Sequence, residues 1–258
     1  MTNNNKMKGI VLAGGAGTRL HPITKVISKQ LLPLYDQPMI YYPLSILINS
    51  GIDDIMIIST PEDQHLFQRL LGNGNQWNVQ ITYSVQDEPN GIAQAFLISE
   101  EWLNSADCTL ILGDNLFFGP SINNLIKNAI NENTGATIFG YKVKDPGRFG
   151  VIEFDKSKNV ISIEEKPDQP KSDWVATGLY IYNSKAVERT KSLSFSKRNE
   201  LEITDLNKIY LNKKELKVVL LNDSFSWIDT GTHDALLEAS NFVKKIKNIH
   251  GKESIGLI

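Results

Sequence analysis

Hydrophobic positions along this chain fall into short continuous runs, separated by segments in which they recur every three or four residues. The runs at 8–13, 54–59, 79–85 and 109–112 are rich in Ile, Val and Leu. Helical patterns lie between them near 41–49, 62–71 and 93–103. A strand that is apolar throughout must be covered on both faces, and amphipathic helices between such strands supply the cover. This part of the chain therefore predicts a doubly wound, mostly parallel α/β sheet. The pattern changes after about residue 134. Strand-like runs at 136–143, 150–154, 160–164 and 175–182 follow closely, separated by turns such as Asp145-Pro146-Gly147 and Asp155-Lys156-Ser157. They predict antiparallel pairs added to the parallel sheet. Helical patterns return near 202–211 and 235–245, with strands at 216–221 and 226–228. No linker, internal repeat or low-complexity segment interrupts the chain, so one domain over 1–258 is expected.

Composition narrows the function. A chain of 258 residues buries a core without staples. A formal net charge of −2 argues against a nucleic-acid binder, which would carry a basic excess or stripe. The single cysteine, Cys108, excludes an internal disulfide and sits in an apolar run, which predicts a buried thiol and a reducing compartment. His21, His65, His233 and His250 make no close pair and there is no Cys-x-x-Cys, so zinc is not expected. The Asn-rich first residues are unlike a signal sequence, and no run approaches the roughly 18 apolar residues of a membrane span. A cytoplasmic protein without membrane partners is expected.

In open α/β sheets, ligands bind at the carboxyl ends of the strands. The first strand ends in Leu12-Ala13-Gly14-Gly15-Ala16-Gly17-Thr18-Arg19-Leu20. Three glycines in four positions let the backbone approach a ligand and aim its amides at anionic oxygens. Arg19 and Lys29 add positive charge suited to phosphates. A dinucleotide fingerprint fails because Leu20 stands where its third glycine belongs, and a P-loop fails for want of Gly-Lys-Ser/Thr. Pro22 and Pro33 predict an irregular stretch after the turn, a flexible lid from which Arg19 and Lys29 reach inward.

Asp114 and Asp229 each follow an apolar strand. Together they suit Mg²⁺, a hard ion that takes one or two carboxylates plus substrate phosphates. Each equally suits a cap on the following turn or helix, Asp229 especially, because Thr230-Gly231-Thr232 reads as a helix start. Gln86, at the end of the third strand, offers a donor and an acceptor to a pyrimidine imide edge. It is as well explained as an ordinary strand-end polar residue. Gly91 is expected to open a helix and lie flat against a base. Strand alternation puts Glu165 on the face of Ile161 and Ile163, where a carboxylate needs a partner: a sugar hydroxyl, or a structural Lys or Arg. Glu164, on the other face, is expected to be solvated.

Gly14-Gly15-Ala16-Gly17-Thr18-Arg19-Leu20 followed by Ser28-Lys29-Gln30-Leu31-Leu32-Pro33 resembles the signature of the sugar nucleotidyltransferase family. The likeness extends through Tyr35-Asp36-Gln37-Pro38-Met39-Ile40-Tyr41-Tyr42-Pro43-Leu44 and runs from about residue 6 to about 248. It implies a Rossmann-like fold with a nucleotide-binding half (6–134), an inserted antiparallel sugar-phosphate half (135–230), and a C-terminal helix and shortened tail (231–258). It implies nucleotide contacts at Leu12, Gly14, Gly15, Gly17, Thr18, Gln86 and Gly91, with Arg19 and Lys29 on the polyphosphate. Gly113-Asp114-Asn115 and Trp227-Ile228-Asp229-Thr230-Gly231 resemble the family's two metal motifs, implying Mg²⁺ on Asp114 and Asp229. Glu165-Lys166-Pro167 resembles the sugar-phosphate segment, with Glu165 on hydroxyls and Lys166 on phosphate. Asn115, Gly150, Thr177 and Arg198 are implied as further sugar-phosphate contacts, and Asn199 stands where relatives often have glycine. The implied substrates are dTTP and glucose 1-phosphate, and the products dTDP-glucose and pyrophosphate. UTP is the nearest rival nucleotide, because a methyl group is worth only about 1–3 kcal/mol in discrimination. A glycosyltransferase, which would release a nucleoside diphosphate, and a non-catalytic nucleotide-sugar sensor are the rivals from other classes. The resemblance also implies a homo-oligomer, commonly a homotetramer. The sequence stops at Ile258 where relatives continue into a helical tail, which bears on assembly and regulation.

Overall fold

A computed structural model describes residues 6–15 and 17–251, without the side chain of His250. In chain order the elements begin with β1 (Lys8–Ala13), the short strands β2 (Pro33–Leu34) and β3 (Gln37–Pro38), α1 (Tyr41–Asn49), β4 (Asp54–Ser59), α2 (Gln64–Leu71) and β5 (Gln80–Val85). Next come α3 (Gln94–Ile98), α4 (Glu100–Leu103), β6 (Cys108–Leu112), β7 (Asn115–Phe118), α5 (Ile122–Asn131) and β8 (Ala136–Lys142). They are followed by β9 (Gly150–Phe154), β10 (Val160–Glu165), β11 (Trp174–Tyr182), α6 (Ala186–Lys191) and α7 (Ile203–Asn212). The last are β12 (Leu216–Leu220), β13 (Ser226–Asp229) and α8 (His233–His250). The fold is mixed α/β, a mostly parallel sheet to which antiparallel pairs are added.

Two compact units share the chain. One comprises Gly9–Pro89, Ile111–Asn124 and the described residues from Ser226 on; the other comprises Asn90–Leu110, Leu125–Phe225 and the described residues up to Lys8. In the first unit β1, β4 and β5 are parallel and in step, with Ala13 opposite Ser59 and Ser59 opposite Val85. Their carboxyl ends therefore form one edge. Ile10, Val11, Ile55, Ile57 and Ile58 are fully buried, as two covered faces require. β7 and β13 form a separate antiparallel ribbon that pairs Asn115 with Asp229. Leu34, Met39, Tyr42, Leu116, Phe118, Ala239 and Val243 make one apolar cluster, so α8 packs over this ribbon. Helix α8 starts at His233 rather than 235, because the Thr232 hydroxyl accepts from the Ala235 N–H and caps the first turn.

In the second unit β8 runs antiparallel to β11 and parallel to β12, and β9 pairs with both β10 and β11. Phe96, Tyr182 and Tyr210 stack edge to face or tilted in its core. The helix expected over 93–103 is two short helices. They break at Ser99, whose hydroxyl donates back to the Ala95 carbonyl at 2.7 Å and favours a bend. The register of β10 slips between Val160 and Ser162. The bulge leaves Ile161 half exposed while Ile163 stays buried, so Glu165 shares a face with Ile163 only. The expected tail beyond Gly251 and the polar residues 1–5 lie outside the described residues.

Candidate active site

The edge formed by Ala13, Ser59 and Val85 carries the glycine turn. Gly14 is buried against Gln86: a Cβ on Gly14 would lie 2.8 Å from Gln86 Oε1. Gln86 is itself buried, and its backbone N–H donates to the Ser59 carbonyl at 2.8 Å. It is thus fixed beside the turn rather than solvated at a strand end. Gly15 is exposed, with nothing within 4 Å of a would-be Cβ, so its backbone is open to approach. Gly17 turns the chain at φ 60°, and its carbonyl accepts from the Thr24 hydroxyl at 2.7 Å. Thr18 and Arg19 follow in an exposed 3₁₀ turn. The Arg19 guanidinium lies over the backbone of Gly231, where a Cβ would come within 3.1 Å of both terminal nitrogens.

Asp114 arrives at the same place from β6. The Gly113 N–H donates to the carbonyl of buried Leu12 at 2.9 Å, and a Cβ on Gly113 would strike Gln30 at 2.9 Å. One Asp114 carboxylate oxygen accepts from the Lys29 ammonium in a close ion pair, and the other accepts from the Asn115 amide at 2.9 Å. Burial alone would push this carboxyl up, but the Lys29 ammonium and the Asn115 amide together hold it below its ordinary value. Asp229 faces Asn115 across the β7–β13 ribbon, and the next residue, Thr230, donates to the Asp114 carbonyl from its N–H (3.2 Å) and its hydroxyl (2.9 Å). The Trp227 indole donates to Asn115 Oδ1 at 2.6 Å. The ribbon therefore brings the two distant aspartates together. Asp229 is not the cap of α8; Thr232 is.

Lys29 corrects the expectation of a flexible lid. It is buried, and the strap that carries it is tied down on both sides. The Ser28 N–H donates to Asp63 (3.2 Å), the Ser28 hydroxyl to Gln30 Oε1 (2.6 Å), and the Ile40 N–H to the Gln30 carbonyl (2.9 Å). The prolines do exclude a long helix, but successive 3₁₀ turns at Thr18–Leu20, Ile23–Lys25 and Lys29–Leu31 take its place. A groove of about 470 Å³ runs beside the strap, lined among others by Gly15, Lys25, Lys29, Thr60 and His65.

The remaining residues gather in the second unit. Glu165 pairs with Gly150 across β10 and β9, accepts from the Thr204 hydroxyl, and lies 3.5 Å from Arg198 and 3.8 Å from Lys166. A Cβ on Gly150 would lie 2.9 Å from the Thr204 hydroxyl, so a side chain there would push that hydroxyl aside. Lys166 adopts φ 43°, and its N–H donates to the Phe149 carbonyl at 2.9 Å. Its side chain is 44% exposed. Arg198 also pairs with Glu200 at 3.0 Å and with buried Glu202 at 2.8 Å. Asn199 stands at φ 58°, a left-handed conformation that asparagine tolerates better than most residues. Thr177 is buried where β11 slips register between Ala176 and Tyr180, and its hydroxyl has no hydrogen-bond partner among the described residues. Gly91 does not open a helix, since α3 starts at Gln94. At φ 98° it leans on Leu201, whose carbonyl would lie 2.4 Å from a Cβ. Glu164 is exposed, as expected.

Sequence reasoning did not single out Gln30, Trp227, Glu202 or Thr204, which hold these residues in place. Thr204 is 39 positions from Glu165 and Trp227 is 112 from Asn115, so no local pattern could have joined them. Among the described residues no group of three or more His, Cys, Asp or Glu could hold a metal. Two carboxylates on facing strand ends suit instead a hard cation that completes its shell with phosphate oxygens.

Comparison with known proteins shows the family of the chain. The family model for nucleotidyl transferases matches residues 8–246. The chain is 56% identical over 243 residues to a glucose-1-phosphate thymidylyltransferase of Neisseria gonorrhoeae, covering 94% of this chain and 84% of that protein. It is 47% identical over 245 residues to the Mycobacterium tuberculosis (strain H37Rv) protein of the same name, with 95% and 85% covered. A Bacillus anthracis protein assigned as a glucose-1-phosphate thymidylyltransferase, crystallised with sucrose, superposes with a TM-score of 0.86 at 40% identity, covering 98% of each chain. A UDP-glucose pyrophosphorylase complexed with UDP-glucose shares the fold, with a TM-score of 0.82 at 23% identity over 93% of this chain and 98% of that one.

Proposed function

The chain belongs to the nucleotidyl transferase family and is a nucleotidyltransferase enzyme, and on that premise we propose that it transfers a thymidylyl group from dTTP to α-D-glucose 1-phosphate. A phosphate oxygen of glucose 1-phosphate attacks the α-phosphorus of dTTP in line. The bond to the β-phosphate oxygen breaks, and pyrophosphate leaves as dTDP-glucose forms. The nucleophile is already an anion near neutral pH, so no general base is required. What the protein supplies is alignment of two mutually repelling anions and neutralisation of charge as the bond changes hands.

Each residue has a task in this reading. The backbone at Leu12, Gly14, Gly15, Gly17 and Thr18 approaches the nucleotide, and Gln86, fixed against Gly14, reads the imide edge of the base. Gly91 shapes the base side. Arg19 and Lys29 carry the positive charge for the polyphosphate. Asp114 and Asp229 would hold a Mg²⁺ ion, which when bound adds charge neutralisation at the phosphates. Glu165 and the Thr177 hydroxyl, which has no partner among the described residues, take sugar hydroxyls, with Gly150 leaving room for them; Asn115 is assigned a further sugar-phosphate contact. Lys166 and Arg198 take the sugar phosphate. The observation that carries the reading is the gathering of the glycine turn, Arg19, Lys29, Asp114 and Asp229 at one strand-end edge.

The test is a matrix of dTTP, UTP, CTP, ATP and GTP against several sugar 1-phosphates, with pyrophosphate measured with and without magnesium. Magnesium-dependent pyrophosphate release that is fastest with dTTP and glucose 1-phosphate is expected. Release of a nucleoside diphosphate from a nucleotide sugar instead would overturn the reading. The buried, unpaired Cys108 supports a cytoplasmic setting. A homo-oligomer is part of this reading, by likeness to the family, and sedimentation across working concentrations tests it.

A further inference from the structure

The Lys29–Asp114 pair bears on how the metal is admitted, an inference that rests on the reading of Asp114 as a metal ligand. Both carboxylate oxygens of Asp114 are engaged by donors of the protein itself, one by the Lys29 ammonium and the other by the Asn115 amide. Lys29 is held there by more than its charge. Its strap is tied to Asp63, Gln30 and Ile40, and the lysine is buried with only 9% of its side chain exposed. An ammonium in contact with a carboxylate and a divalent cation on that carboxylate repel one another at a few ångströms, in surroundings that screen charge poorly. The two exclude each other. A polyphosphate changes the balance, because its oxygens offer Lys29 another anionic partner at the adjacent glycine turn.

We propose that Lys29 acts as a placeholder cation: it occupies the Asp114 carboxylate until a nucleoside triphosphate draws it away, so that metal binding becomes conditional on nucleotide. The coupling is reciprocal, since whatever releases Asp114 for the metal also frees Lys29 for the phosphates. The ion pair also offsets the charge of Asp114 while the site holds no nucleotide.

Electron paramagnetic resonance of free Mn²⁺, titrated into the nucleotide-free full chain, tests the proposal. Lys29→Met is expected to bind Mn²⁺ at least about tenfold more tightly than the unmodified protein, a lower bound for removing a unit charge in contact with the ligand. Lys29→Arg, which keeps the charge, is expected to stay as weak as the unmodified protein. Adding Asp114→Asn to Lys29→Met is expected to abolish the gain. If Lys29→Met fails to fold, Lys29→Gln serves, since it keeps a donor for the carboxylate without the charge. Equal Mn²⁺ affinity with and without the lysine charge would overturn the placeholder role. In that case, loss of Mn²⁺ from the Asp114→Asn complex with α,β-methylene dTTP would leave the metal assignment standing. Unchanged Mn²⁺ uptake by that complex would remove the metal assignment as well.

Discussion

Gly91 sits on the backbone of Leu201, and replacing it with alanine separates two costs that usually travel together. One is conformational: Gly91 has φ 98°, where an L-residue is strained by roughly 1–2 kcal/mol. The other is steric. A Cβ would lie 2.4 Å from the Leu201 carbonyl oxygen and 2.6 Å from its nitrogen, so that backbone must withdraw by more than half an ångström. The same stretch is held by bonds from the Leu201 N–H to Asn90 (2.7 Å) and from the Ala93 N–H to Leu201 (3.2 Å). Overpacking of this kind costs about 1–3 kcal/mol, bringing the total for Gly91→Ala to about 2–5 kcal/mol. Gly51 provides the control, because its φ is 91° and nothing lies within 4 Å of its would-be Cβ. Gly51→Ala should therefore show the conformational cost alone. Urea denaturation with linear extrapolation measures both. Leu201 precedes Glu202, which holds Arg198, and lies three residues before Thr204, which holds Glu165. Gly91→Ala should therefore also raise KM for glucose 1-phosphate in a pyrophosphate-release assay. If Gly91→Ala cost no more stability than Gly51→Ala, the steric argument would be wrong. If it raised KM for dTTP alone, the link through Leu201 to the sugar residues would be wrong.

Three further outcomes are expected. Thr177→Val removes a buried hydroxyl with no partner among the described residues, so thermal stability should hold or rise. KM for glucose 1-phosphate should meanwhile rise by about two- to tenfold if that hydroxyl meets the sugar; an unchanged KM counts against the contact. Trp227→Phe takes the indole donor from buried Asn115 and should cost about 1–3 kcal/mol in denaturant unfolding, and a neutral result would mean that the ribbon does not depend on this bond. The Asp114 carboxyl is held below its ordinary value of roughly 3.9, so its contribution to stability is complete above that pH and is lost as pH falls through the lower folded-state value. Asp114→Asn should therefore unfold with a flatter pH dependence below about pH 4, and an unaltered acid limb would contradict the ion pair.

What was legible in the sequence follows from how local its cause is. The strands over 54–59 and 8–13 are apolar along their middles because both faces are covered, and the structure keeps those limits. The cap at Thr232 shows the reverse: the helix start was visible, but which residue capped it depended on a single bond to Ala235. Helix α5 escaped notice because Asn123, Asn124 and Asn128 give an amphipathic helix the composition of a loop. Strand β7 escaped because its partner is β13, more than a hundred residues on. At the candidate site, residue types and strand-end positions could be read directly. The pairing of Lys29 with Asp114 and the tie of Thr204 to Glu165 could not, since each joins side chains far apart in sequence.

The β7–β13 ribbon sets an order of events during synthesis. Residues through Val85 contain the glycine turn and the parallel strands β1, β4 and β5, whose pairings with one another all lie within that stretch, while β1 also takes β6 on its other edge. The two aspartates meet only after Ser226–Asp229 has been made and has zipped against Asn115–Phe118. A nascent chain or fragment stopping short of Ser226 can build the glycine turn yet has no paired acids, so under the proposed metal role competence for divalent ions is among the last properties the growing polypeptide acquires.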